Sequence, residues 1–286
     1  MPRMPAIRTN PDGSKITLFK YFSSSAVGDF VCCRVSLTPP KFFNDRFEFA
    51  VTREAPDRQE LEEMVDEFER QAYERESQRE AISFAAFKEA RTEVREAWIT
   101  RVTSQEYRDA EPAQMREMLS QLWGVVCLTE VPDNVLMWSK YADSYQGFVA
   151  EFVCDWEHTT YVPRCRATPF GPALKVEYTA KPPLIRADFG NAANCLSMKT
   201  EEWSYEQEWR VIEFLAGADF VEQEKSYRFL TFPALSLTRI ICGDRMSEPD
   251  RTKLLEFVHN NDESIQFQKI HLDSMNRIIE LRPWGL

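Results

Sequence analysis

The chain reads as an α+β protein: a mixed, mainly antiparallel sheet with a large helical insertion after the first strands. Three observations predict this. Short strand-like runs stand on both sides of one long block of helix-forming residues. Strands and helices do not alternate strictly, which argues against a doubly wound parallel sheet. Hydrophobic residues make up 43% and aromatics 13% of the 286 residues, enough for a sizeable core within one large domain.

Residues 1–15 are polar and carry Pro2, Pro5 and Pro11, so they read as a flexible N-terminal arm before a single domain over 16–286. Ile16 to Phe22 and Val31 to Leu37 are the first expected strands. No Gly lies between Gly28 and Gly124, and the stretch from Asp57 to about Val102 is rich in Glu, Arg, Gln and Ala. Leu61, Met64, Val65, Phe68 and Ala72 recur at helical spacing, as do Phe87, Ala90, Val94, Ala97 and Trp98. Two long amphipathic helices are expected, broken near Ser77 to Ser83. Glu111-Pro112 is expected to open a further helix through Met115, Met118, Leu119 and Leu122. The insertion thus covers about 57–122, and its charges form a solvated face or a surface for a protein partner.

The remaining expected strands are Gly124 to Leu128, Gly147 to Val153, Leu174 to Tyr178, Glu208 to Leu215, Tyr227 to Phe232, Arg239 to Cys242, Ile265 to Leu272 and Arg277 to Leu281. Ser247-Glu-Pro-Asp250 starts a last helix.

Lys and Arg total 35 against 46 Asp and Glu, a net charge of −11, which excludes a generic nucleic-acid backbone binder. No apolar run approaches the roughly 18 residues of a membrane helix. The N-terminus lacks the apolar stretch of a secretory signal. Seven scattered Cys suit buried thiols in a cytoplasmic protein better than a disulfide scaffold. The three His, His158, His259 and His271, lie at no metal-ligand spacing, and no G-x-G-x-x-G or phosphate-loop motif is present. Neither a metal nor a Rossmann cofactor is indicated. Cys32-Cys33 read as strand residues on opposite faces.

Three dense clusters carry chemistry. The first joins Lys20 and Tyr21 of Leu18-Phe-Lys-Tyr-Phe22 to Asn44, Asp45 and Glu48, set among Phe42, Phe43 and Phe47. It reads as a polar site in an aromatic setting or as a capped turn. The second runs from Asp133, an expected N-cap, to Asp143. Met137, Lys140 and Tyr141 share a helical face beside Trp138 and Ser139, which suits stacking on a flat ligand or packing in a core. The third is Lys199 to Arg210. On an extended segment Glu206 and Glu208 project to the same side about 7 Å apart. One carboxylate is then able to act as base and the other as stabiliser, with Arg210 on the same face. The alternative is a structural ion pair at a strand start.

In this order the clusters resemble the bacterial family of unknown function DUF2971. The matching residues are Leu18-Phe-Lys-Tyr21, then Asn44-Asp45 with Phe47-Glu48, then Met137-Trp138-Ser139 with Tyr141-Ala142. They end with Trp203, Glu206, Glu208, Trp209 and Arg210, before Ile240-Ile-Cys-Gly243. The resemblance spans about Leu18 to Phe257. The chain departs from the family pattern at Arg46 in place of Pro, Lys140 in place of His, and Tyr145 where a second His is often seen. Glu206-Gln-Glu208 is also similar to the Glu-x-Glu turn of ADP-ribosyltransferases. That likeness implies NAD as substrate. Glu208 would be the late catalytic residue at the ribose, Lys20 and Tyr21 the early-strand pair with Lys20 at the diphosphate, and Ser139 or Tyr141 the middle residue. Two other readings stand beside it. One is a non-catalytic binding or sensing module of a bacterial defence or stress system. The other is a metal-dependent phosphodiesterase using Asp45, Glu48, Glu206 and Glu208. The expected partner is a small-molecule or nucleotide ligand.

Overall fold

The structure is a computed structural model that describes residues 15–45, 58–76, 83–156, 172–180, 196–218, 220–222, 227–262, 264–273 and 278–283. Residues 1–14 of the expected arm and Glu48 lie outside the described residues, and Lys15, expected in the arm, already belongs to the first strand, paired with Asp155. Strand β1 (Lys15–Phe22) leads through a four-residue helix, α1 (Val27–Phe30), to β2 (Arg34–Ser36). Four helices follow: α2 (Arg58–Glu76), α3 (Phe84–Ala90), α4 (Thr92–Thr103) and α5 (Gln105–Leu122). Then come β3 (Trp123–Thr129), α6 (Val135–Tyr141), β4 (Phe148–Trp156), β5 (Pro172–Lys175), β6 (Glu177–Thr179), β7 (Met198–Thr200) and β8 (Glu208–Phe214). The remaining elements are β9 (Phe220–Glu222), β10 (Tyr227–Thr231), β11 (Leu237–Cys242), α7 (Glu248–Asn261), β12 (Gln266–Asp273) and β13 (Ile278–Pro283).

The main sheet has eight strands in the order β1-β3-β8-β5-β4-β11-β12-β13, and β1 also pairs along its length with β4. The pairings β1-β3-β8-β5-β4-β1 therefore close a circuit. Within this sheet β4–β5 and β11–β12 are parallel and the other pairs antiparallel, so the architecture is α+β with a mainly antiparallel sheet. Two small sheets, β2-β10-β9 and β6-β7, flank it. No described helix is long and apolar enough to cross a membrane.

Side-chain alternation along β1 decides what each face packs. Ile16, Leu18 and Phe22 join one core with Phe148, Ala150 and Phe152 of β4 and Val211 of β8. Phe30 fills its centre, its ring 4.8 to 5.5 Å from those of Phe148, Phe22, Phe232 and Phe257. Phe19 and Tyr21 point the other way and pack with Val149, Ile241 and Ile270 against Met137 and Trp138 of α6 and Ala142 just after it. Burying each such aromatic contributes about 2 kcal/mol.

Several boundaries differ from expectation. Pro112 does not open a helix but lies inside α5, which starts at Gln105 because extended Ser104 ends α4. The second long helix is split at Arg91. Phe87 and Ile99 are buried, but Val94 is 65% exposed, so the expected apolar face is covered only in part. The strand expected from Val31 starts at Arg34, and Cys33 takes φ 57° in the preceding turn. Leu174 to Tyr178 is two strands, β5 and β6. Asn134, not Asp133, caps α6, its side chain accepting from the amides of Leu136 and Met137.

After α6 the chain turns through three consecutive left-handed residues, Asp143, Ser144 and Tyr145 (φ 51°, 51° and 70°). Each non-glycine residue there costs about 1 kcal/mol. The turn is held by Gly147 N–H to Ala142 O, Arg245 N–H to Tyr145 O and the Ser24 hydroxyl to Asp143. Gly147 closes it because a Cβ there would lie 1.9 Å from the Phe22 carbonyl oxygen. Ser144→Gly should relieve strain and raise stability in urea unfolding by about 1 kcal/mol. Gly147→Ala should lower it by about 3 kcal/mol, since backbone, not a movable side chain, fills the space.

Candidate functional site

β1 and β3 share one residue pair, Phe19 with Thr129, and diverge beyond it. A cavity of about 170 Å³ opens at this seam. Phe19, Lys20 and Tyr21 line it from β1, Cys127 and Thr129 from β3, and Met137 and Tyr141 from α6. Phe43 and Asn44 close one wall, and Lys199, Glu206 and Glu208 form the charged wall.

The Phe43 wall is fixed by the helical insertion. The Arg116 guanidinium on α5 donates to the carbonyls of Pro40 (3.1 Å) and Phe43 (2.9 Å), and the Ser120 hydroxyl accepts from the Lys41 amide. The Tyr141 wall is fixed by α6, which Trp138 anchors. Its indole N–H donates to the Pro132 carbonyl at 2.8 Å and its ring stacks on Tyr145.

The charged wall is a chain of buried bonds. The Lys199 ammonium donates to Glu206 Oε2 at 2.6 Å and to Glu208 Oε2 at 3.0 Å. Arg210 forks onto Glu208, Nε to Oε1 at 2.9 Å and Nη2 to Oε2 at 3.0 Å, and its Nη1 donates to Leu196 O. The Tyr141 hydroxyl donates to Glu206 Oε1 at 2.6 Å and accepts from Asn44 at 3.5 Å. Glu206 and Glu208 are each 3% exposed and Arg210 is fully buried. Two carboxylates at such depth are tolerable because two cations match them; removing one partner of such a set costs about 3–5 kcal/mol.

Glu206 and Glu208 do not sit on one extended segment. Glu206 ends a 3-10 turn (Glu201–Glu206), Gln207 is left-handed at φ 42°, and Glu208 begins β8. The Glu206 carbonyl accepts from the Thr129 hydroxyl, tying the turn to β3. Burial opposes charge on Glu208, but Arg210 and Lys199 outweigh it and hold its carboxyl down at about 2. Burial, then the Glu206 charge, raises the Tyr141 hydroxyl, so it stays protonated as a donor. Burial raises Tyr21, whose hydroxyl donates to Val131 O. Burial also lowers Lys20, which donates to Cys127 O at 3.2 Å across the seam.

Of the residues expected from sequence, Lys20, Tyr21, Asn44, Tyr141, Glu206 and Glu208 meet at this cavity. Others do not. Trp138 is fully buried in the core beneath α6, so its face offers a ligand nothing. Ser139 is exposed and off the cavity wall. Arg210 stands behind Glu208, and Asp45 is buried beside Asn44 without lining the cavity. Among the described residues no group of three or more His, Cys, Asp or Glu is placed to hold a metal, and Lys199 occupies the point between the two carboxylates. Sequence reasoning placed Lys199 in the third cluster but gave it no role, and it missed Arg116. For Lys199 the signal was a lone cation in an apolar-flanked strand just before a carboxylate pair; for Arg116 there was none. No family model, curated protein or solved structure matches the chain.

Two outcomes follow from the charges. The folded Glu208 carboxyl lies below its ordinary 4.5, so the stability it contributes is present above about pH 4.5 and fades as pH falls towards 2. Glu208→Gln should therefore lose about 3 kcal/mol at pH 7 and show a flatter stability loss between pH 4.5 and 2 in acid-urea titrations. Lys199→Met, which leaves two buried carboxylates with only Arg210, should cost about 3–5 kcal/mol in the same assay.

Proposed function

We propose that the chain is a bacterial enzyme of the DUF2971 type that cleaves NAD in an ADP-ribosyltransferase-like reaction. The observation that carries this is the convergence of Lys20, Tyr141, Glu206 and Glu208, from segments far apart in the chain, on one cavity. Groups acting on one molecule must lie within its reach. The cavity's 170 Å³ is too small for a whole dinucleotide, which supports reading it as the pocket of the nicotinamide–ribose end. Phe43 and Tyr141 offer ring faces to the nicotinamide.

The roles of the two carboxylates are reversed from the sequence expectation. Glu208 is saturated by the Arg210 fork and Lys199, so it positions Lys199. Glu206 faces the cavity beside Tyr141 and meets the ribose. In the reaction the C1′–N bond breaks and its electron pair leaves with nicotinamide. Glu206 stabilises the positive charge that develops on the ribose. The acceptor's oxygen or nitrogen then bonds to C1′, and its proton passes to Glu206.

One observation favours a second reading, a binding or sensing module: the charged wall is neutral overall and every described member is bonded, as in a polar network that only specifies a core. Incubation with NAD separates the two. The enzyme should release nicotinamide, and Glu206→Gln should slow that release by about 100-fold or more while the protein still unfolds cooperatively. Stabilisation by NAD without nicotinamide release supports the binding module. If NAD neither stabilises the protein nor yields nicotinamide, NAD is not its ligand.

A further inference from the structure

Two lysines line the cavity at the seam, and their surroundings differ. Lys199 is fixed as an ammonium by Glu206 and Glu208 at 2.6 and 3.0 Å. Among the described residues no carboxylate lies within ion-pair distance of Lys20. Its hydrogen bond goes to a neutral acceptor, Cys127 O, at 3.2 Å, and its Nζ lies 5.4 Å from the centre of the Phe22 ring. Phe19, Phe43, Leu128 and Met137 supply the apolar part of the cavity lining. Burial lowers Lys20, against the raising pull of Cys127 and Glu208. A lysine in that setting holds a larger share of free amine than an exposed one, and a free amine is a nucleophile for carbonyl carbon. The neutral amine keeps one N–H for Cys127 O, and its lone pair is left for a ligand in the cavity.

We propose that Lys20 is a covalent attachment site for a small aldehyde or ketone, held in this cavity as an imine. The volume of about 170 Å³ admits a carbonyl compound of a few carbon atoms. The Lys20 nitrogen lone pair bonds to the carbonyl carbon, and the C–O π pair moves to oxygen. The two amine hydrogens then leave with that oxygen as water, and C=N remains. The balance needs no oxidant or further reactant. Glu206 lines the same cavity and carries the proton from nitrogen to the departing oxygen. The apolar lining keeps water from reversing the step. The inference goes beyond the NAD reading and does not rest on it, although an adduct there fills the space that nicotinamide and ribose would use.

Treatment of the full chain with propanal and cyanoborohydride, followed by peptide mapping, tests the site, because reduction fixes the imine as propyl-lysine. At pH 7 Lys20 should be propylated about 10-fold or more faster than Lys253, whose side chain is 56% exposed. This readout uses the unaltered protein and depends on no variant. Glu206→Gln should slow propylation of Lys20 by about 10-fold and leave Lys253 unchanged. Lys20 modified no faster than Lys253, or only after unfolding in urea, overturns the site. An unchanged rate at Lys20 in folded Glu206→Gln overturns the proton-carrying role. If Lys20 is trapped while NAD yields no nicotinamide, the imine site stands and the transferase reading falls. If nicotinamide is released and Lys20 is no more reactive than Lys253, the reverse holds.

Discussion

Lys199 lies between two carboxylates that have almost no access to water, and each of the three is held there by the others. Without the ammonium, Glu206 and Glu208 would be like charges forced together at the start of β8. Without the carboxylates, Lys199 would be a buried cation on a short strand. Arg210 anchors the set from behind through the Leu196 carbonyl, and Tyr141 continues it onto α6. The network thus ties β7, β8 and α6 together at one edge of the seam between β1 and β3. A left-handed residue, Gln207, is what allows both carboxylates to reach a single ammonium although they are two residues apart.

The seam is open because β1 serves two partners. It pairs along its length with β4 but meets β3 at one position, so the backbone leaves a gap that side chains and the cavity fill. Lys20 satisfies the Cys127 carbonyl exposed there. The helical insertion braces the Phe43 wall from behind. Its acidic exterior is laced with ion pairs such as Arg58 with Glu96 and Arg70 with Glu67, while α5 sends Arg116 and Ser120 inward to pin residues 40–43. The insertion therefore shapes the cavity as well as covering the sheet.

Much of this was legible in the sequence because it is local. Short runs rich in apolar and aromatic residues, Ile16 to Phe22 and Glu208 to Leu215, read as strands, and the Gly-free, Glu-rich stretch read as helices. The clusters around Lys20, Asn44, Tyr141 and Glu206 were visible as dense polar and aromatic groups. What was not legible depends on partners remote in sequence. Trp138 looked like a stacking platform because its ring is large. Only the packing of α6 on β1 and β4 shows that it is core. Glu208 looked like the working carboxylate, but Arg210 on its own strand and Lys199 on another use up its oxygens. Arg116 is one arginine among many on charged helices, and nothing nearby in the chain reveals that it binds the carbonyls of Pro40 and Phe43. The left-handed turn at Asp143 to Tyr145 carries no Gly to announce it, because tertiary hydrogen bonds sustain it.

The most direct measurement is a crystal structure of the chain grown with ADP-ribose. The account predicts the terminal ribose against Glu206 and Tyr141 and the diphosphate within hydrogen-bond distance of Lys20, with the bonds among Lys199, Glu206, Glu208 and Arg210 unchanged. Ligand bound elsewhere on the surface, with the cavity beside Lys20 and Glu206 vacant at saturating concentration, would contradict it.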